Sequence, residues 1–130
     1  MTLLTKDAIL SVDDMTHEDV AVPEWGGTVR VKSMTGYERD AWERSVSSIE
    51  DGQVVPDTRN ARAKLAARVL VDEDGRRLFS DEEVMMLSAK SAKPLDRIFD
   101  VASRLSGLGK QAEADAVKNS PTPDTDSPSA

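Results

Sequence analysis

Two short runs in which valine recurs at every second residue, Val20 and Val22 with Ala21 and Pro23, and Val29 and Val31 with Arg30 and Lys32, flank the segment Glu24-Trp25-Gly26-Gly27. A period of two places every second side chain on one face of a strand, and a Gly-Gly pair between two such runs supplies the turn of a β-hairpin. Pro23 has no N–H to give to a ladder, so it belongs at a strand end or on an edge.

From Thr35 the period lengthens. Thr35-Gly36-Tyr37-Glu38 has the form of a capping box, in which hydroxyl and carboxylate satisfy the orphan N–H groups of a first helical turn. Tyr37, Ala41, Trp42, Val46 and Ile49 then recur at spacings suited to one buried helical face, with Asp51-Gly52 as its end and Pro56 keeping the connection open. A further helix is expected from about Thr58 to Val71, and its nearly all-apolar later half, Leu65–Val71, makes it the central and most buried one. Ahead of the hairpin, Thr5 before Lys6–Leu10 predicts a capped turn or two of helix, and Asp13–Asp19 an acidic loop.

Asp72-Glu73-Asp74-Gly75 predicts a tight turn with Arg77–Phe79 extended beyond it. Ser80-Asp81-Glu82-Glu83 is a second capping box, opening a short helix over Val84, Met85, Met86 and Leu87. Ser91–Pro94 starts the last helix, since proline is tolerated in a first turn. Leu95, Ile98, Phe99, Ala102 and Leu105 form its stripe, and Gly107 supplies a left-handed cap. The expected fold class is α+β: an N-terminal β-hairpin packed on a mainly helical domain of three to four helices.

The apolar content that can build this core stops at Gly107. Residues 1–107 are expected to form one domain, and 108–130 an acidic tail. Lys110–Lys118 is Ala-rich and at most weakly helical. Asn119–Ala130 contains three Pro among Ser, Thr and Asp. It cannot bury enough surface to offset the entropy of ordering and is expected to be disordered.

The charge is uneven. Residues 1–27 hold one Lys and six acids, 28–110 hold 15 basic and 14 acidic side chains, and 111–130 hold one Lys and four acids. An acidic chain without a basic block is repelled by phosphate backbones and anionic lipids, so neither nucleic acid nor membrane is an expected partner. With no cysteine there is no disulfide, thiolate nucleophile or Cys-based zinc site. No apolar run approaches the ~20 residues that span a bilayer, and the N-terminus lacks the basic and long apolar regions of a secretion signal. The protein is expected to stay where it is made.

Residues that hint at chemistry have plainer explanations. His17 is the sole histidine and lies near Asp13, Asp14 and Glu18, but a metal site would want a second His or Cys at suitable spacing. Asp72-x-Asp74-Gly75 departs from a calcium loop at Arg76, and its Gly comes too early. Neither Gly26-Gly27 nor Leu105–Gly109 sits between a strand and a helix with a following Lys and Ser or Thr at phosphate-cradle spacing. Glu82-Glu83 belongs to a helix first turn, where the dipole favours anions. Arg59, Arg62, Lys64 and Arg68 do not share one helix face and read as solvated charges. Trp42 is expected in the core, while Trp25 either caps the core or touches a partner. Met85-Met86 belongs to a short buried helix or, failing that, to an adaptable contact surface. The sequence assigns no catalytic, cofactor-binding or metal residue and singles out no partner-binding surface. The chain is expected to be a binding protein, not an enzyme.

The ordered segments Val22–Gly27, Thr35–Ala41, Leu70–Glu83, Lys93–Phe99 and Arg104–Gly107 resemble the tail assembly chaperones of long-tailed, siphovirus-type bacteriophages and related prophages of actinobacteria. The resemblance covers most of 20–107. It implies a non-catalytic, largely helical protein of the host cell cytoplasm that needs no cofactor. Such a protein binds the tape measure protein, helps recruit tail tube subunits, self-associates, and is not retained in the virion. It also implies a longer form made by −1 frameshifting, with which Leu108-Gly109-Lys110 is compatible. The rival expectation is a structural tail or head–tail component of the virion. A third, from another class, is a small hydrolase or metal-dependent enzyme using His17, Asp13 and Asp14.

Overall fold

The computed structural model describes residues 2–108. The tail expected to be disordered therefore lies, from residue 109 on, outside the described residues, as does most of Leu108-Gly109-Lys110.

Helix α1, Lys6–Ser11, is capped by Thr5, whose hydroxyl accepts the Ala8 N–H at 3.2 Å. Strands β1, His17–Val22, and β2, Gly27–Lys32, form the expected antiparallel hairpin, with Val20 opposite Val29 and Val22 opposite Gly27. Pro23–Trp25 makes a 3-10 turn between them, and Gly26 at φ 75° turns the chain back. The acidic loop ends earlier than expected, because His17, Glu18 and Asp19 already pair with Lys32, Val31 and Arg30 in the ladder.

Helix α2, Gly36–Ser45, opens on the expected capping box: Thr35 accepts from Glu38 N and Glu38 accepts from Thr35 N. It ends sooner than the apolar spacing predicts. Ile49 lies instead on β3, Ser47–Glu50, which pairs with β4, Gln53–Pro56, in a second hairpin. Asp51 and Gly52, at φ 52° and 77°, are the two residues of its turn. Positive φ at both central positions matches the right-handed twist of the flanking strands, and Asp-Gly favours it. The predicted single buried face over Tyr37–Ile49 is therefore wrong: Tyr37 is 73% exposed, and α2 has no fully buried residue.

Helix α3, Ala61–Val69, buries Ala63, Leu65, Ala66, Ala67 and Val69 and is the central helix, as expected. It stops two residues short of Val71 because Leu70 and Val71 form β5, pairing with Val31 and Arg30 to complete a sheet of order β1-β2-β5. The Asp72–Gly75 turn follows, with Asp72 Oδ1 accepting N–H groups from Asp74 and Arg76 at 2.9 and 3.0 Å. Ser80–Glu83 forms the second capping box and leads into α4, Val84–Ser88. Here the expected buried helix is corrected. Only Leu87 is buried, while Met85 and Met86 face solvent.

Helix α5, Ala92–Leu105, carries the predicted stripe, with Pro94, Leu95, Ile98 and Ala102 buried against α3 and the sheet. It closes through two bonds, Leu108 N to Ser103 O and Gly107 N to Arg104 O, around Gly107 at φ 75°. This pairing satisfies the last free carbonyls of a helix. Two ion pairs clamp the first hairpin onto α5: Arg97 meets Glu24 through bonds of 2.8 and 2.9 Å, and Arg104 meets Glu18 at 2.7 Å. The fold is α+β, an N-terminal hairpin against several helices, with one additional hairpin that the sequence reading missed.

Ile98 has no exposed surface. Replacing it with Ala is expected to cost about 2–5 kcal/mol, whereas Tyr37→Ser should stay within about 0.5 kcal/mol; urea unfolding measures both. The Arg97 guanidinium, helped by the Glu24 backbone N–H, holds the Glu24 carboxyl down from 4.5 to about 2. A carboxyl depressed in the fold contributes stability that is complete above its unfolded value and fades as pH falls through its folded one. The Arg97→Gln variant should therefore lose less stability than the parent between pH 4.5 and about 2. Superimposable acid limbs in the two proteins would contradict that role.

Candidate functional site

The residues that hinted at chemistry do not converge. Asp13 Oδ1 accepts the Met15 N–H at 3.2 Å, Glu18 reaches Arg104, and His17 stands exposed at the start of β1. Among the described residues, no group of three His, Cys, Asp or Glu side chains is placed to hold a metal ion. The Asp72 carboxyl is lowered by backbone N–H groups, first that of Arg76, so its acceptor capacity serves its own turn. Glu83 accepts the Ser80 N–H at 2.9 Å. Among the described residues, no helix is long and apolar enough to cross a membrane.

The two tryptophans serve packing. Trp42 is half-buried, meets Phe99 at a ring-centroid distance of 6.0 Å and 60°, and donates from its indole N–H to Ala61 O at 3.3 Å. Such tilted aromatic pairs are favourable, and the indole N–H needs a partner when removed from water. Trp25 packs against the core from the 3-10 turn and is also half-buried.

The cations on α3 and just before it divide. Arg59 pairs with Asp57, and Arg62 with Asp96. Lys64 and Arg68, one turn apart, are partly buried rather than freely solvated. Lys64 donates to Ser45 O at 2.6 Å, and Arg68 pairs with Asp81, which also receives Arg77. The Arg77 contact comes first in holding the Asp81 carboxyl below its ordinary value.

Exposed apolar side chains gather in three places. Helix α1 buries no residue, and Leu3, Leu4, Ile9, Leu10 and Val12 around it are exposed. Met85 and Met86 form a second patch. The third is the β3–β4 hairpin, where Ile49 and Val54 stand directly opposite each other and are 74% and 75% exposed. A recess of about 530 Å³ lies between this hairpin and α2, with Asp40, Glu43 and Arg44 on the helix side and Ile49 and Val54 on the strand side. A second, of about 460 Å³, lies by Trp42, Val46, Val55 and Pro56; the two share Glu43, Ser47 and Val54. Sequence reasoning missed this surface, although Asp51-Gly52 between Ile49 and Val54 was the signal that could have found it. Contiguous exposed apolar surface of this kind marks sites of protein contact.

Residues 5–119 match the profile of a family described as phage tail assembly chaperone. No curated protein matches the chain. Among solved structures, the tail assembly chaperone of bacteriophage HK97 is similar in fold, with 22% sequence identity and a TM-score of 0.55. The likeness covers 77% of this chain and 89% of that one.

Replacing Asp13, Asp14 and His17 together with Ala is expected to leave thermal stability within about 0.5 kcal/mol of the parent. Addition of magnesium or calcium should shift the melting temperature of neither protein. A metal-dependent rise in the parent that the triple variant lacks would restore the acidic segment as a functional site.

Proposed function

Because the chain belongs to the phage tail assembly chaperone family, we propose that it binds the tape measure protein, holds it in solution, and helps recruit tail tube subunits. It acts without catalysis in the host cell cytoplasm and leaves before the virion is complete. The family match over residues 5–119 carries this reading. The three exposed apolar surfaces support it, because a chaperone needs apolar surface to offer and this domain offers it without exposing its core.

The physical logic is that of many weak sites on one long ligand. A tape measure protein is a long helix with apolar surface that would otherwise aggregate. Copies of a small domain bound along it, and self-associating, gain through effective concentration what each contact lacks. The closure of α5 supports a longer, frameshifted form as well. The cap at Gly107 ends α5, and the core residues all lie before it, so a continuation that differs after Leu108 would keep them.

Co-expression with the long helical protein encoded beside it should yield a soluble complex, and omission of the chain should send that protein into inclusion bodies. Mass spectrometry of purified particles should find the chain absent. Its presence there in stoichiometric amount would favour the rival, a structural tail or head–tail component.

A further inference from the structure

We propose that the track between α2 and the β3–β4 hairpin is where the partner helix docks, and that it selects helices whose apolar stripe is edged by lysine or arginine. The proposal rests on the helix-binding function above and assigns that function a surface and a specificity.

The hairpin is built to present this face. A two-stranded hairpin is marginal alone, and this one is pinned at its base, where Asp57 N donates to Val46 O and Lys64 Nζ to Ser45 O, each at 2.6 Å. Above that base Ile49 and Val54 face each other across the strands, and both lie about three-quarters exposed. The two recesses adjoin at Glu43, Ser47 and Val54. Adjoining recesses suit neighbouring anchors of an amphipathic helix laid in a groove. Strand addition fits poorly, because each strand has four residues and Pro56 interrupts the β4 edge.

Charge sets the class of helix. Asp40 and Glu43 stand on the α2 wall, Glu50 and Asp51 at the hairpin tip, and Arg44 is the basic group lining the recess. Arg39 approaches Glu43 from the same helix at 3.6 Å, with both side chains still about half exposed. An apolar floor inside an acidic rim attracts a stripe flanked by cations and repels one flanked by carboxylates, which gives selectivity more than raw affinity. The recess beside Met85 and Val84 sets Lys64 and Arg68 against Asp81 and Glu82, so its rim favours neither sign of charge.

The test uses the full chain and two fluorescently labelled synthetic helical peptides with the same leucine stripe, one edged by Lys and the other by Glu, read by anisotropy. The Lys-edged peptide should bind at least about tenfold tighter at low salt, and the difference should shrink as salt screens the rim. Ile49→Ser with Val54→Ser should weaken that binding about tenfold, with the melting temperature unchanged because both side chains are exposed. Asp40→Lys with Glu43→Lys should abolish or reverse the preference. Equal affinity for the two peptides overturns the proposal. So does binding that survives the hairpin substitutions but is lost on removal of residues 2–12, or hairpin variants that lose only self-association, by sedimentation. If the hairpin variants still hold the tape measure protein in solution, the track is wrong and the chaperone reading stands. If the parent chain fails to hold it, the chaperone reading is wrong whatever the peptides show.

Discussion

Leu95, Ile98 and Ala102 fall on one face of α5 and lose nearly all contact with water, packed against α3 and the strands of the first hairpin. This burial positions everything else. Helix α5, the longest of the described helices, packs on both β1 and β2. Helix α3 runs under α5 and feeds Leu70 and Val71 straight into the sheet, so the helical layer and the strand layer share one continuous backbone. The ion pairs Glu24–Arg97 and Glu18–Arg104 fix the direction of α5 across the hairpin. Exposed pairs contribute little individually, but both set the same register. The core is thus a single contact between one apolar stripe and two partners.

Around that core the remaining elements are attachments of different firmness. Helix α2 is held by Trp42, through Phe99 and the Ala61 carbonyl, and by Lys32, which reaches Glu38 at 2.6 Å. The second hairpin is held mainly at its base. Helix α1 is tied by little beyond the short links from Met15 and Thr16 to Ser33. A six-residue helix is too short to persist in water on its own strength. The less firmly an element is attached, the more apolar surface it offers, which is the arrangement a binding protein without an enclosed pocket requires.

How much of this could be read from residues alone follows from the strength of each local signal. The stripe on α5 runs from Leu95 to Leu105 at one unbroken period, and both capping boxes and the first hairpin carry their own turn chemistry. Those elements were legible. The error over Tyr37–Ile49 arose because apolar residues straddling a helix end can mimic a longer helical stripe; the turn residues, Asp51-Gly52, decide the matter. The end of α3 was read too late because the run Leu65–Val71 is apolar throughout, and such a run does not distinguish helix from buried strand. Met85 and Met86 were misplaced because a helix of five residues needs only Leu87 to anchor it. The recess between α2 and the β3–β4 hairpin was illegible for a stronger reason: it lies between two elements, one of which the apolar spacing does not announce.

The order in which these parts are synthesised has its own consequence. Glu18 and Glu24 find their arginines 86 and 73 residues further along the chain. As the polypeptide leaves the ribosome, the first hairpin emerges early with Val20, Val22 and Val31 uncovered, and it stays so until α5 follows. Non-local closure of this kind is slow and leaves apolar surface open in the interval. Until α5 arrives, the hairpin is therefore briefly in need of shelter itself.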